Sequence, residues 1–295
     1  MKDRVDFDDP PPLTHLKRLT TKEGLMQHAD SDVPDPSHGY ALDDNARAVI
    51  AMLWYYRRFR DQSALRLLEI YFNYIRRVEK EGGSFHNFLS FTEQILDSEG
   101  SEDSIGRAIW ALGEMIKSCP DEAWHNWAVA MLKRADIHRH LEHPHIRTKA
   151  YILLGLLTGG ETAEAKLWAD KLVKIYQDNA TDDWFWFENS LSYTNAVLPF
   201  ALAEAGRILT DRSFVKVAVA SFDWLDSTSR LNGKPAPIGQ NGWYIKGGQK
   251  AEYDQQPVDA AKMVLAAVAL YRATEKQKYR DKALEWVSWY DGNNS

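Results

Sequence analysis

Acidic residues stand beside amides or hydroxyls at the start of several helical segments. The first start reads ALDDNARA, with Asp43 and Arg47 four positions apart, and the next reads SEDSIGRA, with Asp103 and Arg107 at the same spacing. Acids in a first helical turn favour the helix dipole, and an Asp–Arg pair at this spacing adds a few tenths of a kcal/mol. Capping therefore explains one acid at each start, and the additional acids need another explanation.

The additional acids predict a site for acid–base chemistry. Further starts read EHPHIRTKA, WFENSLSYTNA and AEYDQQPVDAA. The polar groups at the five starts are Asp43, Asp44 and Asn45; Glu102, Asp103 and Ser104; His143 and His145; Glu188, Asn189 and Ser190; and Asp254, Gln255 and Gln256. Crowded carboxyls in a partly apolar pocket acquire different pKa values, because burial and like charges raise some while hydrogen bonds hold others ionised. Glycosidic cleavage needs such a pair, an acid for the leaving oxygen and a base or nucleophile for the anomeric carbon.

The elements that must position these groups are helices. Apolar residues at three- and four-residue spacing predict helices at 44–59, 62–79, 103–118, 121–134, 145–157, 161–179, 190–209, 212–229, 256–273 and 276–290. Links alternate between short ones, which make antiparallel hairpins, and long ones rich in glycine and aromatics. This rhythm predicts an all-α fold, an (α/α)6-like toroid of five clear hairpins with apolar inner helices and amphipathic outer ones.

One domain is predicted. Residues 1–37 are rich in proline and aspartate and are interpreted as an irregular N-terminal arm, so the ring has five hairpins or an irregularly filled sixth position. No Pro/Ser linker divides residues 38–295, which are expected to form a single α/α-toroid domain. In such a toroid the long links lie at the end where inner helices begin, and the acids are expected to converge on one depression.

Composition narrows the function classes. The net charge of -6 argues against a general nucleic-acid binder, and no apolar run approaches the ~20 residues that span a bilayer. The start MKDRVDFDDPPPL lacks the apolar segment of a secretory signal, so a cytoplasmic location is expected. Cys119 is the single cysteine, and the spacing of His138, His140, His143 and His145 does not match a zinc pattern. No metal or cofactor is expected.

Several segments together carry a family resemblance. They read QHADSDVPDPSHGYALDDNARA, NFLSF…GSEDSIGRAIWALG, WFWFENSLSYTNAVLPFALAEAG and PIGQNGWY…AEYDQQPVDAAKMV. In their order, and over about residues 14–290, the chain resembles a bacterial and archaeal family of α/α-toroid carbohydrate-active domains. These domains are often described as, or attached to, glycosyltransferases acting around mannose-type sugars, and they share their architecture more loosely with six-hairpin glycosidases.

The resemblance implies a glycan substrate and a glycosyltransferase as a functional partner, but no residue roles. A nucleotide-sugar transferase normally contains a Rossmann-type half, and this chain has no strand, Gly-rich turn and helix in succession. The transferase name is therefore expected to belong to an attached domain, with this chain as the helical part.

Three functions are compatible with these residues. The first is a glycoside hydrolase that cleaves an oligosaccharide, one containing mannose among the candidates, with Glu188 as general acid, Asp44 or Asp103 as its partner and Glu102 as a third candidate. The second is a non-catalytic glycan-binding module that works beside a glycosyltransferase. The third is a sugar epimerase or polysaccharide lyase on the same fold, for which His86 and Tyr193 supply a base.

Ion pairing and aromatic content complete the predicted site. Arg47 and Arg107 are expected to pair with Asp43 and Asp103, which leaves Asp44 and Glu188 freer for proton chemistry. Aromatic residues make up 12% of the chain, and aromatic faces stack on the C–H faces of pyranoses. The predicted substrate-binding residues are His38, Asp43, His86, Asn87, Trp186, Tyr193, Trp243, Tyr244, Asp254 and Gln255.

Overall fold

A computed structural model describes residues 8–294 of the chain. Its contacts separate into two compact units, a first unit that ends at His138 and a second unit that begins at Arg139. Each unit is built mainly from helical hairpins, and the two units are described in turn.

The first unit contains two long helical hairpins preceded by a small sheet. Its helices are α1 (Thr14–Leu19), α2 (Leu42–Phe59), α3 (Gln62–Arg77), α4 (Glu102–Ser118) and α5 (Glu122–Arg134). Its strands β1 (Met26–Asp30), β2 (Val33–Ala41) and β3 (Phe88–Leu89) form an antiparallel sheet in that order. Helix α2 packs against α3 and α4, and α4 packs against α5, so the first helices of the two hairpins are neighbours.

The second unit contains three hairpins and short strand pairs in its loops. Its helices are α6 (Ile146–Gly159), α7 (Thr162–Asn179), α8 (Val197–Ile208), α9 (Arg212–Thr228), α10 (Pro257–Thr274) and α11 (Gln277–Val287). Its strands are β4 (Ser190–Leu191), β5 (Arg230–Leu231), β6 (Lys234–Pro235) and β7 (Tyr244–Ile245). Helix α8 packs against both α6 and α10, while each hairpin partner packs beside its own first helix.

Burial separates the two helices of the α6–α7 hairpin as the sequence predicts. All residues of α6 from Ile146 to Leu157 are buried, whereas α7 buries only Ala165, Trp168, Ala169 and Leu172. The short links end their helices with local signals. Arg60 and Gly160 take left-handed conformations after α2 and α6, and Asp61 accepts the Ser63 N–H to cap α3.

Two predictions about local structure are corrected. Residues 26–37 of the supposed irregular arm belong to strands β1 and β2, because β2 gains partners on both sides. Helix α8 begins at Val197 instead of 190, since Ser190 and Leu191 pair with Tyr244 and Ile245 and Thr194 adopts a positive φ of 45°. Residues 1–7 of the predicted arm lie outside the described residues.

Two further predictions concern the whole chain, one about membrane-spanning helices and one about the number of domains. No helix in residues 8–294 is both long and apolar enough to cross a membrane. The single domain over 38–295 stays a prediction, as does the convergence of all helix starts on one depression.

Candidate functional site

In the first unit, three aspartates and two arginines meet at the starts of α2 and α4. This set, Asp43, Asp44, Arg47, Asp103 and Arg107, is the first-unit acid cluster. Arg107 contacts Asp43 at 2.7 Å and Asp103 at 3.3 Å, so its buried guanidinium joins the two helices. Arg47 contacts Asp43 at 3.2 Å. The predicted pairs Asp43–Arg47 and Asp103–Arg107 are therefore confirmed, and Arg107 adds a contact between helices.

Asp44 differs from the prediction because it is not free of arginine. Arg47 also forms a hydrogen bond with the Asp44 carboxylate, since both side chains leave the same face of α2. Burial nevertheless raises the pKa of Asp44, and the charge of Asp43 raises it further, against the lowering effect of Arg47 and Arg107. The Asp44 side chain remains 24% exposed, so a ligand can reach this carboxyl group.

The other predicted groups of the first unit divide by burial. Asn87 is buried: its side-chain oxygen accepts the Leu42 N–H at 3.2 Å and its carbonyl accepts the Tyr74 hydroxyl. Its predicted contact with a sugar is corrected to a structural role at the start of α2. Asn45 is likewise buried and bonds to the backbone of Leu25 and Ala41.

The histidines and Glu102 of this unit lie nearer to solvent. His38 is exposed on β2, where its ring contacts that of His28 and lies 3.6 Å from Asp35. The half-buried His86 bonds through Nδ1 to the carbonyl of Asp97 at 2.8 Å. Glu102 is the half-buried first residue of α4.

In the second unit, Arg147 is the centre of a hydrogen-bonded group at the start of α6. The second-unit arginine cluster consists of Arg147, Glu188, Ser192, Tyr193 and Asn195. The buried guanidinium donates to the Tyr193 carbonyl at 2.6 Å, the Ser192 hydroxyl at 2.8 Å and the Asn195 side-chain oxygen at 3.1 Å. It also pairs with Glu188 at 2.9 Å and lies against the Tyr193 ring, 4.9 Å from its centre. One guanidinium thus fixes a loop, a ring and a carboxylate.

Glu188 is therefore not the unpaired acid that the sequence predicts. Its Oε1 atom is buried against Arg147, while the side chain as a whole is 30% exposed. The guanidinium fixes the direction of the Glu188 carboxyl group, because the two side chains form an ion pair at 2.9 Å. The contact suits a base or nucleophile better than a proton donor.

The aromatic residues before Glu188 belong to the core. Trp186 is 0% exposed and stacks on Trp224 at 5.9 Å, so the prediction that it contacts a sugar is wrong. Trp184 is also buried, and its indole N–H donates to the Glu188 carbonyl at 2.8 Å. Both rings pack inward because burial of a large apolar ring is favourable.

Other aromatics stay accessible beside the arginine cluster. Trp243 is half-buried, with its ring centre 6.4 Å from that of Tyr193. Tyr244 pairs with Leu191, so strand β7 joins strand β4 across the loops. The Tyr244 ring packs edge-on against Trp184 at 5.2 Å.

The last two predicted groups precede α10. Asp254 is exposed and has a positive φ of 61°, and its carbonyl accepts the Gln240 N–H. Gln255 accepts the Trp289 indole N–H at 3.3 Å and donates to the Glu252 carbonyl at 3.0 Å. These bonds tie the loop to the end of the chain.

Asp259 and Arg147 are functional candidates that sequence reasoning left out of the site. Asp259 is the third residue of α10 and is 6% exposed, and its Oδ2 atom has no hydrogen-bond partner among the described residues. Burial raises the pKa of Asp259 to about 7, although the Thr194 and Asn195 N–H groups and the charges of Arg147 and Lys262 act to lower it. In the sequence Asp259 is a first-turn acid two residues after Pro257, and no spacing connects it with Arg147.

Within residues 8–294, no group of three or more His, Cys, Asp or Glu side chains is arranged to hold a metal ion. His143 and His145 stack on each other at 5.1 Å, and the buried His140 ring accepts from Arg139. These contacts account for part of the histidine cluster in the sequence.

Solved structures share this fold. A cellobiose 2-epimerase from Bacillus thermoamylovorans matches with a TM-score of 0.75 and 10% identity, over 95% of this chain and 84% of that one. A D-mannose isomerase matches with a TM-score of 0.71 and 14% identity, over 98% and 88%. An alpha-amylase from Clostridium perfringens matches with a TM-score of 0.63 and 12% identity, over 93% and 84%. The chain therefore has the α/α-toroid fold, and these neighbours are carbohydrate-processing enzymes.

At the level of sequence, no family model matches the chain and no curated protein does.

Proposed function

We propose that this chain is an enzyme that processes a carbohydrate by acid–base chemistry at carboxyl groups held by arginines. The observation that carries the proposal is the contrast inside the first-unit acid cluster. Asp44 has a raised pKa, whereas Asp43 beside it contacts two guanidinium groups. Two neighbouring carboxyl groups in different surroundings, one with a raised pKa and one in contact with two guanidinium groups, are the kind of arrangement from which acid–base enzymes assign their roles.

Glycoside hydrolysis is the reaction that this arrangement supports first. Asp44 donates its proton to the glycosidic oxygen as the bond to the anomeric carbon breaks. A water molecule attacks that carbon, and its proton passes to a carboxylate, for which Asp103 is the candidate on the neighbouring helix. Arg107, which contacts Asp103 at 3.3 Å, keeps that carboxylate oriented.

Glu188, in the second unit, is proposed as the alternative to Asp103 for the base or nucleophile role, instead of the acid role. Its partner Arg147 lies against the Tyr193 ring, whose centre is 6.4 Å from that of Trp243, and both rings offer faces for a pyranose. Tyr193, Trp243, His86 and Gln255 remain proposed sugar contacts. The glycosyltransferase partner and the cytoplasmic location stay predictions from sequence.

Epimerisation or isomerisation is the second candidate, because two of the structural neighbours are a cellobiose 2-epimerase and a D-mannose isomerase. In that reaction a base removes a proton beside the sugar carbonyl and an acid returns one, and no water is consumed. The half-buried His86 is the candidate base.

The two reactions leave different isotopic marks. Glucose- and mannose-containing oligosaccharides are incubated with the protein in water labelled with heavy oxygen, and separately in deuterated water, and the products are weighed by mass spectrometry. Hydrolysis gives shorter sugars with labelled oxygen at the new reducing end, which we expect. Unchanged length with deuterium fixed on carbon establishes the second candidate. A panel that stays unlabelled and uncleaved contradicts the proposal of an enzyme.

A further inference from the structure

The buried carboxyl of Asp259 is in direct contact with the loop that precedes α8. It accepts the backbone N–H groups of Thr194 and Asn195. Thr194 holds a left-handed φ of 45° although it is not glycine, and it is almost fully buried. A backbone conformation of this kind persists only where its surroundings hold it. Asp259 is one of the groups that hold it.

The same loop supplies most of the acceptors of Arg147. The 192–195 turn is closed internally, because the Asn195 side chain accepts the Ser192 N–H at 3.0 Å and donates to the Ser192 carbonyl at 2.7 Å. Arg147 donates to this turn at Ser192, Tyr193 and Asn195. A shift of the turn therefore moves every one of these acceptors at once.

Arg147 in turn holds the carboxylate of Glu188. The two pair at 2.9 Å, and the guanidinium nitrogen that reaches Glu188 is the one that also donates to Ser192 and Asn195. The orientation of this nitrogen is thus set by the turn. Contacts run continuously from Asp259 to the turn, from the turn to Arg147, and from Arg147 to Glu188.

We infer that Asp259 is a positioning residue for the Glu188 carboxylate, acting through the 192–195 turn and Arg147. The inference rests on the proposed catalytic role of Glu188. Asp259 itself is too deeply buried to touch a sugar, so its contribution is the placement of another group.

The charged surroundings of Asp259 make this positioning sensitive to pH. Arg147 faces it from α6, Lys262 from its own helix α10, and Tyr290 from the segment after α11. A small cavity beside it is lined by uncharged groups, Asn195, Ser229 and Trp286 among them. When Asp259 loses its proton, the new negative charge attracts Arg147 in competition with Glu188. We expect activity to fall as this happens.

Amide hydrogen exchange tests the structural half of the inference without a substrate. Asp259→Ala removes the acceptor of both N–H groups, and exchange at the Thr194 and Asn195 amides should become at least about tenfold faster as the turn opens locally. Asp226→Asn is the matched control, because Asp226 is another 6% exposed carboxyl of this unit, and its partners are Arg230, Lys282 and the Trp286 indole instead of the 192–195 turn. Unchanged protection of the two amides in Asp259→Ala overturns the inference.

Kinetics test the functional half. Asp259→Ala should lower kcat on the order of a hundredfold with little change in KM, the loss expected when an acid–base group is misplaced by about 1 Å. Asp259→Asn keeps the shape and an acceptor oxygen, so it should restore most of kcat and lack the alkaline fall in activity of the native protein. The Asp226→Asn control should keep the native pH profile.

The outcomes separate this inference from the proposed function. If exchange is faster in Asp259→Ala but the native protein converts no sugar, the contacts from Asp259 to Glu188 are supported and the proposed enzymatic function is contradicted. The positioning role alone is overturned by a different result. In that case the native protein converts a sugar, Asp259→Asn keeps the native kcat and pH profile, and Asp259→Ala keeps the native kcat. Thermal unfolding of each variant shows whether it is folded at the assay temperature. If Asp259→Ala is unfolded, the pH profile of Asp259→Asn tests the positioning role.

Discussion

The two clusters hold their carboxyls in different ways. In the first-unit acid cluster two arginines share three aspartates, and Asp43 contacts both guanidiniums. In the second-unit arginine cluster one buried guanidinium serves Glu188 and the 192–195 turn together. The first arrangement distributes charge over several partners, and the second concentrates it on one residue.

Asp44 and Asp259 show what this difference does to a carboxyl. Each is the third residue of its helix, and burial raises the pKa of each. Asp44 keeps a guanidinium in contact and is partly exposed. Asp259 has only backbone donors at one oxygen and none at the other, and its pKa rises to about 7. The helix position alone therefore does not decide the role of an acid, because the partner supplied by other elements does.

Removal of Arg147 should have the largest effect. Arg147→Ala leaves Glu188 without its partner and the turn without its donor, so the free energy of unfolding should fall by about 3–5 kcal/mol. Urea denaturation measures this change. A loss below about 1 kcal/mol shows that the second unit does not depend on one guanidinium, and the contrast between the clusters then fails.

The pH dependence of stability should separate the two buried acids. A folded-state pKa above the unfolded value means that the folded protein binds more protons between the two values, so stability falls as pH rises from about 4 to 7 for Asp259. Asp259→Asn should remove this fall, which amounts to on the order of 4 kcal/mol at most. Asp44→Asn should remove a smaller fall in stability. Unfolding titrations across this range measure both, and a larger effect at Asp44 reverses the ranking.

Loss of Arg47 should cost much less than loss of Arg147. The Arg47 side chain is 37% exposed, and Arg107 still contacts Asp43 in its absence. Arg47→Ala should therefore reduce the free energy of unfolding by about 1 kcal/mol or less. Denaturation at low and high salt checks this, because an exposed pair weakens with salt. A loss equal to that of Arg147→Ala shows that the first cluster does not share its charges.

A small stability effect, similar to that of Arg47→Ala, is expected at the aromatic flank of the second cluster. Trp243→Ala removes a half-buried ring and should cost about 1 kcal/mol of stability. It should nevertheless weaken the binding of an oligosaccharide, measured by calorimetry. Trp127→Ala, which removes an exposed indole elsewhere, is the control. Equal affinities in the two variants remove Trp243 from the proposed sugar contacts.

The helices were predictable because their signals are local. Apolar spacing and short links locate all the long hairpins, and the Asp–Arg spacing at the starts of α2 and α4 predicts pairs that form. The start of α8 was not predictable from local signals, because Ser190 and Leu191 pair with Tyr244 and Ile245, which lie far along the chain.

The site was predictable only where its contacts lie within one helix. Arg147 meets Glu188 across a long stretch of chain, so no spacing in the sequence announces the pair. Trp186 has the same neighbours in sequence whether it faces solvent or the core, and only tertiary packing places it inside. Asp259 looks like an ordinary first-turn acid until the turn at Thr194 is placed against it.

Turnover by Glu188→Gln compared with Glu122→Gln tests the central claim most directly. Glu188 lies in the loop before β4 and is held by Arg147, whereas Glu122 is an exposed acid at the start of α5. Once an oligosaccharide is found that the native protein converts, Glu188→Gln should lower kcat at least about a hundredfold while Glu122→Gln leaves it unchanged. Equal turnover by the two variants contradicts the claim that arginine-held carboxylates perform the chemistry.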